Sequence, residues 1–256
     1  MTVPPFEIIG ADRDPRWLIL CDHASNRVPP EVAGGDLGLP EEEMRRHIAW
    51  DVGARGVAVA LAEALDAPMV AATFSRLVID PNRGEDDPTI MMRLYDGTIV
   101  PGNRHADAEE KARRIELFHR PYHDAVDAQL DRAFAAGATP RILSVHSYTP
   151  QLRGRPKRPW HVGLLWDRDD RIFRPLFARL QREEGLVVGD NEPYSGQLRG
   201  DCLYRHATQR GLPHVLIELR HDLIETPEDQ ARWGRDLARW VEEAMAEEPE
   251  AAAIGG

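Results

Sequence analysis

Three short runs, WLILC at 17–21, RILSV at 141–145 and HVLIEL at 214–219, are apolar almost throughout and end abruptly in polar residues. A run that is apolar at nearly every position, rather than at alternate ones, belongs to a strand covered on both faces, as in parallel sheets packed between helices. The intervening segments carry helical periodicity. Residues 40–66 begin with acids and place Val52, Val57, Leu61 and Leu65 at helical spacing, and 106–136 reads as a long helix bent at Pro121. Segments 171–184 and 201–211 are helical, and 226–247 is amphipathic with Thr226 as its N-cap. Residues 68–74, 77–79, 161–166 and 186–188 are strand-like.

Strands alternating with helices predict an α/β fold, one sheet with helices on both faces. Neither a repeat nor a linker divides the chain, so 1–247 is expected to be one domain and 248–256 a frayed tail. The one long irregular connection is 81–105, rich in Gly, Pro, Asn and Asp, a length that often marks a functional loop.

Composition narrows the function. Of 256 residues, 42% are hydrophobic, enough for a sizeable core and too many for wholesale disorder. Forty-three acids against thirty-two bases give a net charge of −11, which repels nucleic-acid phosphate unless bases cluster. The best cluster, Arg153, Arg155, Lys157 and Arg158, lies in a Pro- and Gly-containing stretch and reads as a solvated loop. No stretch approaches the ~18–20 apolar residues of a membrane helix. The N-terminus has acids and prolines where a secretory signal has a basic end and an apolar run. Two cysteines, Cys21 and Cys202, make neither a disulfide framework nor a CxxC knuckle. A cytoplasmic protein is expected, with no nucleic-acid or membrane partner.

Ligands of open α/β sheets bind beyond the carboxyl ends of the strands. That rule gathers His23, His146 and Glu218, each at or just past the end of an apolar run. A hydrolytic zinc centre needs three N/O ligands and an open position. His23 and His146 supply two imidazoles, and Asp51, set among small and apolar residues in HIAWDVGA, is the candidate third ligand. The alternative is that Asp51 pairs with an arginine and His23 is a turn residue. His47 and Asp51, four apart, form a possible two-ligand helix face. His119 and His123 have HxxxH spacing, but no glutamate follows the first and Pro121 intervenes, so the HExxH logic fails.

Glu218 breaks an otherwise apolar strand. Pairing with Arg220 explains it poorly, since neighbours two apart on a strand run side by side. A carboxylate there suits a general base that takes a proton from water and returns it to a leaving nitrogen. Ser25 and Ser147 raise a serine-histidine alternative, but no GxSxG elbow accompanies them. Arg76, Arg83 and Arg220 suggest a small anionic substrate. Their alternative partners are Asp80, Asp86 and Asp87.

Five blocks, CDHASNRVP at 21–29, HIAWDVGA at 47–54, SRLVIDPNR at 75–83, SVHSY at 144–148 and LIELR at 216–220, occur in the order and character of one family. Together, across roughly residues 17–225, the chain resembles the N-formylglutamate amidohydrolase family, as a divergent member. The resemblance implies a phosphorylase/hydrolase-like α/β fold and a Zn2+ cofactor held by His23, Asp51 and His146. It places Glu218 at the position of the catalytic glutamate, and Arg76, Asn82, Arg83 and Arg220 around the substrate pocket. The implied reaction is hydrolysis of a linear amide in a small anionic N-acyl amino acid, with N-formyl-L-glutamate giving formate and glutamate. Two alternatives stand beside it: a zinc amidase for a larger substrate such as an N-acetylmuramoyl peptide, which needs a long open groove, and a non-catalytic binding protein on the same fold.

Overall fold

The computed structural model describes residues 3–253. Its strands are β1 (Phe6–Ile9), β2 (Trp17–Cys21), β3 (Met69–Ala72), β4 (Leu94–Tyr95), β5 (Thr98–Ile99), β6 (Arg141–Tyr148), β7 (Val162–Leu165), β8 (Val188–Asp190) and β9 (His214–Arg220). Its α-helices are α1 (Glu41–Met44), α2 (Ala54–Ala64), α3 (Pro101–Arg104), α4 (Ala108–Arg114), α5 (Arg120–Ala135), α6 (Phe173–Leu180), α7 (Cys202–His206) and α8 (Pro227–Ala253). Seven strands form one sheet in the order β1-β3-β2-β6-β9-β7-β8, while β4 and β5 pair as a separate hairpin. β3, β2, β6 and β9 are parallel; β1 pairs antiparallel to β3, and β7 antiparallel to β9.

Helices cover both faces, as the apolar runs require. Alternate residues of each strand serve opposite layers. Ile19, Leu143, Val145, Val215 and Ile217 pack with Val57 and Leu61 of α2, Leu176 of α6 and Leu237 of α8. Leu18, Leu20, Ile142 and Leu216 pack with Tyr122 and Val126 of α5 and Leu203 of α7. His146 and Glu218 lie on this second face, in phase with Ile142 and Leu216. None of the described helices is long and apolar enough to cross a membrane.

The structure departs from the sequence reading in instructive places. Residues 40–66 do not make one helix: α1 ends at Met44, and α2 begins only after Gly53, whose φ of 79° lies in the left-handed region. Residues 77–79 are fully buried but are not a strand. Their carbonyls find side-chain donors instead, with Asn103 Nδ2 bonded to Leu77 O at 2.8 Å and the buried Arg114 guanidinium to Val78 O at 3.0 Å. The long helix of 106–136 is broken by a wide π turn at Ile115–His119, immediately before Pro121, which has no N–H for an ordinary helical bond. Segment 201–211 is a shorter helix followed by a 3-10 turn at Thr208–Arg210. The last helix is capped as expected, the Asp229 N–H donating to Thr226 Oγ1 at 3.1 Å. It continues through Ala253, into the segment expected to fray; 254–256 lie outside the described residues.

Candidate metal centre and its cavity

β2 and β6 are neighbours in the sheet, yet the chain leaves β2 for β3 on one side and returns to β6 on the other. This is a topological switch point, where the loops beyond the strand ends diverge and leave a crevice. Asp22 and His23 follow β2 directly, and His146 sits near the carboxyl end of β6. Asp51 reaches the same crevice from the turn before α2, correcting the expectation that it is a helix residue. Its N–H donates to His23 O at 3.0 Å and its carbonyl accepts from Ala54 N–H at 3.2 Å. Gly53 makes that turn possible: its φ is positive, and a Cβ there would sit 2.4 Å from Ile224 O.

Each imidazole stands between two carboxylates. His146 Nδ1 lies 2.8 Å from Asp51 Oδ2 and its Nε2 2.9 Å from Asp22 Oδ2. His23 Nδ1 lies 3.3 Å from the same Asp51 oxygen and its Nε2 2.7 Å from Asp80 Oδ1. Asp22 also accepts from Tyr122 Oη at 2.6 Å, and Asp80 from Arg76 Nη2 at 2.8 Å. All of these carboxylates are buried. Burial opposes their charge, but His146 holds Asp22 low, Arg76 and His23 hold Asp80 low, and the two imidazoles hold Asp51 far below the usual carboxylate range. Against its own burial, His146 is raised well above an ordinary histidine by Asp22 and Asp51.

Two imidazole nitrogens and a carboxylate oxygen, from His23, His146 and Asp51, lie within 4.8 Å of one another. The outward nitrogen of each ring is fixed by a further carboxylate, which is how proteins orient histidine ligands and raise their basicity. Ionised, inward-facing donors in a desolvated crevice call for positive charge, and the N2O set fits a divalent ion.

Glu218 faces the centre from the adjacent strand, in register with His146. Burial pushes its carboxyl up to about 7, and Oε2 is buried with no hydrogen-bond partner. A cavity of about 490 Å³ opens over these groups and is lined by His23, Asp51, His146 and Glu218 together with Arg76, Asn82 and Arg83. The three latter residues differ in what they can offer a ligand. Arg76 is engaged by Asp80 and, at 3.4 Å, by Asp51, and its guanidinium lies over the Tyr95 ring. Asn82 spends its amide oxygen on Cys202 N–H at 3.0 Å, leaving the amide nitrogen for the cavity. Arg83 has its own neighbour's carbonyl, Asn82 O, at 2.7 Å, and no carboxylate within 4 Å among the described residues.

Arg220 does not join them. Its Nε donates to Asp222 at 2.7 Å and Nη1 to the carbonyls of Arg158, Pro159 and Trp160, so it braces the chain entering β7 and does not line the cavity. His47 lies against Tyr95 and Asp96 rather than beside Asp51, and burial lowers its pKa to about 4. His119 and His123 meet within a chain of close contacts that also takes in His206. His119 Nε2 donates to Arg83 O at 2.9 Å and faces His123 Nε2 at 3.3 Å; His123 Nδ1 reaches His206 Nε2 at 2.7 Å, and His206 Nδ1 reaches Asp127 at 2.8 Å. His119 Nδ1 is buried with no hydrogen-bond partner, and His123 and His206 stand with Cys202 as a second group close enough together to hold a metal ion.

Sequence reasoning missed the roles of Asp22, Asp80 and Tyr122. Asp22 could have been found from its place at the end of an apolar strand, directly before His23. Asp80 carried a comparable signal, closing the apolar LVI run.

A model of the N-formylglutamate amidohydrolase family matches residues 16–225. Over 207 residues the chain is 29% identical to an N-formylglutamate deformylase of Pseudomonas putida, covering 74% of this chain and 73% of that protein. Among solved structures, the Agrobacterium tumefaciens gene product Atu2144 superposes with a TM-score of 0.90 at 32% identity, covering 96% of both chains. An N-formylglutamate amidohydrolase from Ralstonia eutropha JMP134 shares the fold, with a TM-score of 0.68 at 24% identity over 94% of this chain and 97% of that one.

Proposed function

The chain belongs to the N-formylglutamate amidohydrolase family, and we propose that it is a zinc-dependent hydrolase of small anionic N-acyl amino acids, with N-formyl-L-glutamate as substrate and formate and glutamate as products. The observation that carries this reading is the convergence of His23, Asp51 and His146, each imidazole backed by its own carboxylate, beneath a cavity that also receives Glu218. The cavity volume falls within the ~300–1,000 Å³ of small-molecule sites, which favours a small substrate over a long glycopeptide.

His23, Asp51 and His146 would hold the ion. When bound, zinc supplies Lewis acidity for activating water near neutral pH and polarising an acyl carbonyl. The protein's own groups do the rest. Glu218, with a pKa near 7, takes a proton from the attacking water as its oxygen adds to the formyl carbon. It then delivers a proton to the amide nitrogen as the carbon–nitrogen bond breaks. Arg83 holds a substrate carboxylate, and the Asn82 amide nitrogen donates beside it. Arg76 positions Asp80 and Asp51 rather than binding substrate.

Metal analysis beside a formate-release assay tests the reading. About one zinc per chain with chelator-sensitive release of formate from N-formyl-L-glutamate is expected. Glu218→Gln should keep the metal and lose roughly 10²–10⁴-fold in turnover. A fully active variant would remove Glu218 as the base, and retention of zinc by both His23→Ala and His146→Ala would remove the metal site.

A further inference from the structure

A second cluster of metal-ligating side chains lies outside the cavity, where α5 faces α7. Cys202 and His206, four apart, share one face of α7. His123 meets them from α5, and one ligand atom from each of the three lies within 4.8 Å of the others. His119, beside His123, belongs to the π turn, a feature that recurs at functional sites. All four side chains are buried, and none of them lines the cavity.

Two imidazole nitrogens 2.7 Å apart, His123 Nδ1 and His206 Nε2, repel unless a proton or a metal ion stands between them. Hydrogen bonding alone leaves the cluster incomplete, since His119 Nδ1 is buried with no partner. His206 is also prepared as a ligand. Its Nδ1 lies 2.8 Å from the half-buried Asp127 carboxylate, which fixes Nε2 as the inward lone pair. Asp80 and Asp22 do the same for His23 and His146. Burial holds His123 well below the ordinary histidine range, so its ring stays neutral and keeps a lone pair to give.

The donor set chooses the ion. Two imidazoles and a thiolate are softer than the two imidazoles and carboxylate of the first centre, and suit copper or zinc. Structural zinc takes four protein ligands, and catalytic zinc takes three and a water. This cluster presents three ligand atoms, buried and away from the cavity that would admit water. Charge points the same way. A cuprous ion on one thiolate is neutral overall, whereas zinc leaves a net positive charge in a desolvated place. We propose that His123, Cys202 and His206 form a second metal site that takes a cuprous ion in three-coordination, the Cys202 thiol proton passing to solvent as the copper–sulfur bond forms. Its ligands share no residue with the zinc centre, so the two assignments can fail separately.

Anaerobic titration of the zinc-loaded protein with cuprous ion, in competition with a chromogenic cuprous chelator, tests this. One copper per chain should bind while the zinc stays in place, and copper X-ray absorption should show one sulfur and two nitrogens around it. Cys202→Ser and His206→Gln should each abolish that binding and keep the zinc, while Cys21→Ala, at the other buried cysteine, should retain the copper. Asp127→Asn should weaken copper binding about 10–100-fold, as loss of an orienting carboxylate does. Failure of the wild type to take copper from the chelator, displacement of the zinc by copper, or an equally strong site in Cys202→Ser would overturn the proposal. A site that fills with zinc in preference would overturn the choice of ion. Should a variant not fold, the wild-type absorption spectrum decides alone, and coordination by nitrogen without sulfur would refute the site.

Discussion

Glu218→Gln should make the metal-free protein more stable while disabling it. The wild-type carboxyl is buried, keeps an oxygen without a partner, and is pushed by burial from the ordinary 4.5 up to about 7. For an acid whose pKa is raised by folding, the native state holds a proton that the unfolded chain has already released between those two values. Stability therefore falls as pH rises from about 4.5 to about 7, and the full penalty applies above that. The gap between the two values, at about 1.36 kcal/mol per pH unit, amounts to roughly 3 kcal/mol. Glutamine preserves the shape and cannot ionise, so it avoids that penalty.

The assay is urea unfolding of chelator-treated wild type and Glu218→Gln across pH 4 to 8, followed by fluorescence and circular dichroism to check that one transition is seen. The variant's advantage should grow to about 3 kcal/mol above pH 7 and disappear near pH 4.5. A variant no more stable than wild type at pH 8, or an advantage independent of pH, would refute the argument that Glu218 is held as a raised, unpaired acid. Such a residue is kept against stability, which is the expectation for a group retained for chemistry.

Asp80→Asn removes the negative charge behind His23 and should weaken metal binding about 10–100-fold, read by competition with a chromogenic chelator; unchanged affinity would show that Asp80 does not orient the ligand. Gly53→Ala forces a left-handed residue to carry a Cβ 2.4 Å from Ile224 O, so it should destabilise the fold by more than about 1 kcal/mol in urea titration and lower metal affinity through the displaced Asp51 turn. Tyr122→Phe deprives the buried Asp22 of its 2.6 Å donor and should cost about 1–3 kcal/mol, with no loss in unfolding experiments arguing that water replaces the hydroxyl.

Much of this arrangement was legible in the sequence because strand ends are legible. WLILC predicts β2 to the residue, and the polar residues after each apolar run place His23, His146 and Glu218 at one end of the sheet. β6 runs through His146 to Tyr148, farther than its apolar residues indicate, because the crevice behind it is polar yet buried. The turn at Asp51 was hidden because Val52, Val57, Leu61 and Leu65 fit a helical period while the break depends on Gly53, whose left-handed backbone is a tertiary matter. Buried turns mimic strands when their carbonyls are satisfied by side chains, as at 77–79. Arg220 and Arg83 look alike in sequence; only the fold reveals that one is consumed by Asp222 and three carbonyls while the other faces the cavity without a carboxylate partner.

The central claim is tested most directly by an anomalous difference map from zinc-loaded crystals, collected on both sides of the zinc edge. One strong peak is predicted about 2.0–2.2 Å from a nitrogen of His23, a nitrogen of His146 and the Asp51 carboxylate, with Glu218 outside the coordination sphere. A peak held by other residues, or none at this site in protein that binds zinc in solution, would contradict the account.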